Sequence, residues 1–118
     1  MLGRVEIRSR ERDAEPFTTK DGSEIRELVH AAKQSLAEAT VAPGQATERH
    51  YHRESEELYY VLDGSGELDL DGERRAVGPG DAVLIPPGAR HSFTGGADGA
   101  RFLCCCAPSY SHDDTFLD

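Results

Sequence analysis

A chain of 118 residues has room for one domain with one modest core. Apolar residues make up 37% of it, and twelve glycines and six prolines suit a turn-rich β domain better than a helical one. Thirteen basic against 22 acidic side chains leave a net charge of −9, which argues against nucleic acid and anionic membrane as partners.

No apolar run approaches the ~18 residues a membrane helix needs. Met1 to Glu15 is rich in Arg and Glu and lacks the apolar stretch of a secretory signal, so the expected location is cytoplasmic. A lean domain of this size gains stability by pairing with a copy of itself, so a homodimer is expected.

Residues 1–24 read as an N-terminal arm, with Val5 and Ile7 as a candidate short strand and an Asp21-Gly22 turn. Ile25 to His30 reads as a strand. Gln34 to Ala42 reads as a strand ended by Pro43-Gly44, although its alanines also permit helix. Thr47 to His52 and Glu57 to Leu62 follow as strands, the second closed by Asp63-Gly64-Ser65-Gly66. Glu67 to Leu70 and Arg74 to Val77 flank Asp71-Gly72, a strong hairpin signal. Ala82 to Ile85 reads as a buried strand between Gly-Pro-Gly and Pro-Pro-Gly turns. Arg90 to Thr94 and Arg101 to Ala107 are the last strands, separated by a loose turn at Gly95 to Gly99. The consecutive Cys104, Cys105 and Cys106 read as small apolar residues of that final strand, since strand neighbours face opposite ways and form no disulfide framework. The tail, Pro108 to Asp118, reads as a solvated end, with Tyr110, Phe116 and Leu117 available for docking. Many short strands at this spacing mean a sandwich or a barrel.

The chemistry concentrates on His50, His52, Glu57 and His91. His50 and His52 are two apart, so on a strand they share a face. Glu57 opens the next apolar run, and His91 follows a Pro-Pro-Gly turn. The competing carboxylate, Glu56, would point the other way from Glu57. Three imidazoles and one carboxylate on neighbouring strands suit a divalent transition metal: manganese, iron, cobalt, nickel, copper or zinc. Such a set leaves positions open for water or substrate.

These residues fall into two spaced motifs. Gly44, His50, His52, Glu57 and Gly64 form the first; Gly80, Pro86, Gly88 and His91 form the second, with Gly95 where the usual pattern has Asn. Together they closely resemble the paired motifs of the cupin superfamily, and the short gap between them resembles small single-domain microbial cupins. The resemblance implies an all-β, double-stranded β-helix (jelly-roll) barrel covering about residues 25–107, within a single domain 1–118. It implies a metal-binding protein taking a small-molecule ligand or substrate, with His50, His52, Glu57 and His91 as ligands. One fold hosts many chemistries, so oxygenase, lyase and isomerase types stay open, as does a non-enzymatic sensor or accessory role. By parity, Tyr59 and Val61 face inward with Glu57, and Phe93 with His91. Tyr59 is thus a candidate proton-transfer residue, although it reads first as a core aromatic. Arg49, Tyr51 and Arg53 point away from the histidines. His30 and His112 fit neither motif and read as structural.

Overall fold

The computed structural model describes residues 5–118. Of the expected N-terminal arm, residues 1–4 lie outside the described residues. The first element among the described residues is one helical turn, α1 (Arg10–Asp13), capped by the Ser9 hydroxyl. The strands are β1 (Phe17–Thr18), β2 (Glu24–His30), β3 (Ser35–Val41), β4 (His50–His52), β5 (Glu56–Leu70), β6 (Glu73–Val77), β7 (Ala82–Ile85), β8 (His91–Ala107) and β9 (Thr115–Leu117). All pairings are antiparallel. The main path runs β1-β2-β3-β8-β4-β9, while β5 pairs with β6, β7 and β8. This curled sheet is the jelly-roll barrel that the motif resemblance implies.

Strands β5 and β8 organise the barrel. The first half of β5 pairs with β7 and with the second half of β8; its second half pairs with β6 and with the first half of β8. Here the structure corrects the sequence reading. The expected turns at Asp63 to Gly66 and Gly95 to Gly99 are bends inside two continuous strands, with register shifts at Val61/Asp63 and Gly64/Gly66. The glycines serve close approach instead of chain reversal. A Cβ on Gly64 would strike the Gly99 carbonyl, and one on Gly66 would strike the Phe93 ring.

Inward residues alternate along each strand. Glu57, Tyr59 and Val61 of β5 are buried, as are His91 and Phe93 of β8. Past the bend the parity of β8 changes, so Phe102, Cys104 and Cys106 face in and Cys105 does not. Phe102 lies 4.7 Å, centroid to centroid, from both Tyr59 and Phe93, at the centre of the core with Val41, Val61 and Ile85. Burying each such ring contributes roughly 1.5–3 kcal/mol.

Four further expectations are corrected. Val5 and Ile7 form no strand and are highly exposed. Ala82 to Ile85 is a strand, but only Ile85 is buried, because the other side of β7 is an outer face. The strand expected from Thr47 begins only at His50, with an isolated bridge from Ala46 to Thr94 before it. The tail is not a solvated end: β9 pairs with β4, and the Asp114 carboxylate accepts the backbone N–H groups of Arg53, Glu54 and Ser55. Tyr51 stacks on Phe116 while Arg53 and Arg90 lie over the two rings, so the outer face of β4 is covered by the chain's own tail. Gln34 to Ala42 settles as strand β3, not helix.

Candidate metal centre

β4 is three residues long and its alternation is simple: His50 and His52 point in, Tyr51 points out. β8 brings His91 opposite His50 in register. The Pro-Pro-Gly turn preceding it is tied to β4 by the Gly88 N–H, which donates to the His52 carbonyl at 2.7 Å. Glu57 enters from the start of β5, next to Cys106 of β8.

All three imidazoles are oriented alike. The Nδ1–H of His50 donates to the Glu48 carbonyl at 2.9 Å, that of His52 to the Asp114 carbonyl at 3.1 Å, and that of His91 to the Ala89 carbonyl at 2.9 Å. A proton on Nδ1 leaves the Nε2 lone pair bare, the arrangement carbonyl partners impose on metal-ligating histidines. One ligand atom from each of the three lies within 4.8 Å of the others. Glu57 Oε1 stands 3.5 Å from His52 Nε2 and 3.3 Å from His91 Nε2. Its other oxygen accepts the Cys106 thiol at 3.3 Å.

Three of these inward atoms, His52 Nε2, His91 Nε2 and Glu57 Oε1, are buried without a hydrogen-bond partner. Each would cost about 1–3 kcal/mol if left so. Bare lone pairs facing a carboxylate oxygen at this distance repel unless a positive charge, a proton or a metal ion, lies among them. The residues present therefore fit a divalent metal.

Burial disfavours the charged form of His52, but the Glu57 carboxylate beside it holds this imidazole above its ordinary pKa. Burial would raise Glu57, yet His52 and His91 outweigh it and keep the carboxyl well below the usual range. Burial and the neighbouring His91 push His50 down.

Tyr59 is where strand parity places it, buried, with its ring 6.2 Å from that of His91. Burial, reinforced by the Glu57 charge, raises its phenol well above the ordinary value. Glu56 points out, as expected. His30 sits on the surface beside Glu27.

Two residues escape the sequence reading. Cys106 reads as plain core in sequence, yet its thiol orients Glu57. Asp21 reads as part of a turn, yet its Oδ2 lies 3.5 Å from His50 Nε2. Its Oδ1 accepts the Thr19 hydroxyl at 2.7 Å and the Ser23 hydroxyl and N–H at 2.7 and 2.9 Å. A cavity opens beside the cluster, with Phe17, Ile25, Ala37, Ala39 and Phe102 among its apolar walls.

The model of the family described as cupin domain matches residues 37–106 of the chain, a span holding both motifs. An uncharacterized protein of Methanocaldococcus jannaschii is 48% identical over 106 residues, covering 85% of each chain. The polyketide synthase CurC of Streptomyces cyaneus is 35% identical over 107 residues, covering 81% of this chain and 70% of its own. Among solved structures, KdgF from Halomonas sp. superposes with a TM-score of 0.82 at 18% identity, covering 92% of this chain and 97% of its own. The chain belongs to the cupin family, and its three buried histidines form a cluster that could hold a metal ion. Among the described residues, no helix is long and apolar enough to cross a membrane.

Proposed function

We propose that His50, His52, Glu57 and His91 hold one divalent transition metal, and that the chain is a metal-dependent enzyme acting on a small, oxygen-rich molecule. The observation that carries this reading is the trio of buried, unpartnered atoms, His52 Nε2, His91 Nε2 and Glu57 Oε1, aimed at one point. The adjoining cavity gives a small ligand access to that point. Four protein ligands leave coordination positions open. When bound, the metal supplies Lewis acidity, or redox chemistry if it is iron or manganese. The chain's own part is to fix the imidazole tautomers through the Glu48, Asp114 and Ala89 carbonyls, and to exclude bulk water with the apolar wall.

The reaction type is oxygenation, lyase chemistry or isomerisation. Similarity to a polyketide synthase component supports an oxygen-rich carbon skeleton as the ligand. Tyr59 is the candidate proton-transfer group. Its strongly held proton also favours a second reading, a cupin that binds a small ligand without turning it over, as a sensor or accessory module. A homodimer in the cytoplasm completes the proposal. Exposed Leu58, Tyr60 and Leu84 on the outer sheet face suit a second copy, and free Cys104, Cys105 and Cys106 suit a reducing compartment. The charge of −9 favours neither nucleic acid nor an anionic membrane.

The test is turnover of iron, manganese, nickel and zinc forms with chelating diketones and enediols, in wild type and in Tyr59→Phe. If the hydroxyl transfers a proton, Tyr59→Phe keeps its metal and slows reaction by roughly 10²–10⁴-fold. Ligand binding without turnover in every metal form would favour the second reading.

A further inference from the structure

The open side of the cluster is faced by a group that belongs to neither motif. Asp21 reaches it from the turn between β1 and β2, far before His50 in sequence. Its carboxylate is fixed in advance. Oδ1 accepts three hydrogen bonds from Thr19 and Ser23, which leaves Oδ2 directed at His50 Nε2 across 3.5 Å. The turn is locked to the motif strand as well: the Glu48 N–H donates to the Asp21 carbonyl at 2.7 Å, and the Glu48 carbonyl accepts His50 Nδ1–H. A preorganised acceptor beside a ligand site is the arrangement that reads a hydroxyl or N–H.

The surroundings decide what kind of ligand that is. Among the described residues lining the cavity there is no Lys or Arg, whereas Asp21, Glu27 and Glu57 all line it. A divalent ion carries two positive charges, and Glu57 with Asp21 neutralises both. An incoming carboxylate would therefore meet no uncompensated positive charge, and a fixed negative one at short range. Ile25, Ala39 and Phe102 supply apolar wall to the same cavity.

We propose that Asp21 is the specificity-determining residue of this site: its free Oδ2 accepts a hydrogen bond from an uncharged, hydroxyl-bearing ligand with an apolar body, and turns carboxylate ligands away. This rests on the metal reading of His50, His52, Glu57 and His91. Asp21 does not hold the metal in this account; it stands beside the position the ligand takes.

The experiment uses the zinc-loaded full chain, titrated calorimetrically with acetoin, an uncharged hydroxyketone with an apolar body, and with oxalate, a dianion. Zinc affinity is measured in parallel by competition with a chelator. Asp21→Asn should bind oxalate about tenfold or more tighter than wild type, bind acetoin more weakly, and keep its zinc affinity within about threefold. Should Asp21→Asn fail to fold by circular dichroism, Asp21→Ser is read the same way, since its hydroxyl can still serve the turn. An unchanged preference between the two probes overturns the role of Asp21. So does a loss of zinc affinity of about tenfold or more, which would make Asp21 a metal ligand. A wild-type chain that takes up no zinc overturns the metal reading itself, and this inference with it.

Discussion

Cys106 shows how much of the proposed centre lies one step away from the metal position. The Cys106 thiol holds one oxygen of Glu57 so that the other faces the histidines. Cys106→Ala should weaken metal binding by about tenfold, the lower end of what partners of metal ligands contribute. Competition with a chelating dye measures it, and an unchanged affinity would reduce Cys106 to packing. His52 sets the pH dependence. Burial disfavours its charged form, the Glu57 carboxylate favours it and prevails, and ligation needs the neutral imidazole, so affinity should fall as pH drops from 7 to 5. Calorimetric titration at both values checks this; equal affinities would mean that the histidines are not ligands. The four motif residues are legible in sequence because strand alternation and turn residues carry their geometry locally. Asp21 and Cys106 are not, since each reaches the site from a segment distant in sequence, and nothing in a Thr-Lys-Asp-Gly-Ser turn or a Cys triplet states what lies opposite.

The two long strands and the tail strand are what bring these residues together. The bends in β5 and β8 depend on glycines where another backbone or ring comes close. Gly66 faces both the Phe93 ring and the Thr94 carbonyl, whose oxygen lies 2.6 Å from where a Cβ would stand. Gly66→Ala should therefore destabilise by roughly 1–3 kcal/mol, the usual cost of overpacking, by chemical denaturation. A neutral substitution would mean the strands need no such approach. Glycine pairs read as turns in sequence because chain reversal and close strand contact demand the same residue. The tail is legible only as polar. Its acidic Asp114 has a partner set that sequence does not reveal: partial burial pushes its carboxyl up, but three backbone N–H groups hold it below its ordinary value. A depressed carboxylate contributes stability above its unfolded pKa and loses it as pH falls through the folded one. Asp114→Ala should cost about 1–2 kcal/mol at pH 7, and the gap to wild type should close below roughly pH 4. A gap that stays constant with pH would show that the charge plays no part.

On the scale of the whole chain, the barrel is the most legible feature, because two spaced motifs and a run of short alternating segments point to it independently. Its outer face is less so. Ala82 to Ile85 looks buried from composition, yet in the chain alone Leu84 is 54% exposed beside Leu58 and Tyr60. A second copy seated there would bury that stripe, with an interface of roughly 2,000 Å² or more. Light scattering should give a dimer at micromolar concentration, and Leu84→Asp should give a monomer. A monomeric wild type would leave those side chains without a role.

The central claim is one metal per chain, held by four named side chains. Elemental analysis of protein purified without added metal, then reconstituted and desalted, tests it most directly. The account predicts one divalent transition metal per chain in wild type and almost none in His91→Ala, with both proteins folded by circular dichroism. Metal retained in full by His91→Ala, or none taken up by wild type, would contradict it.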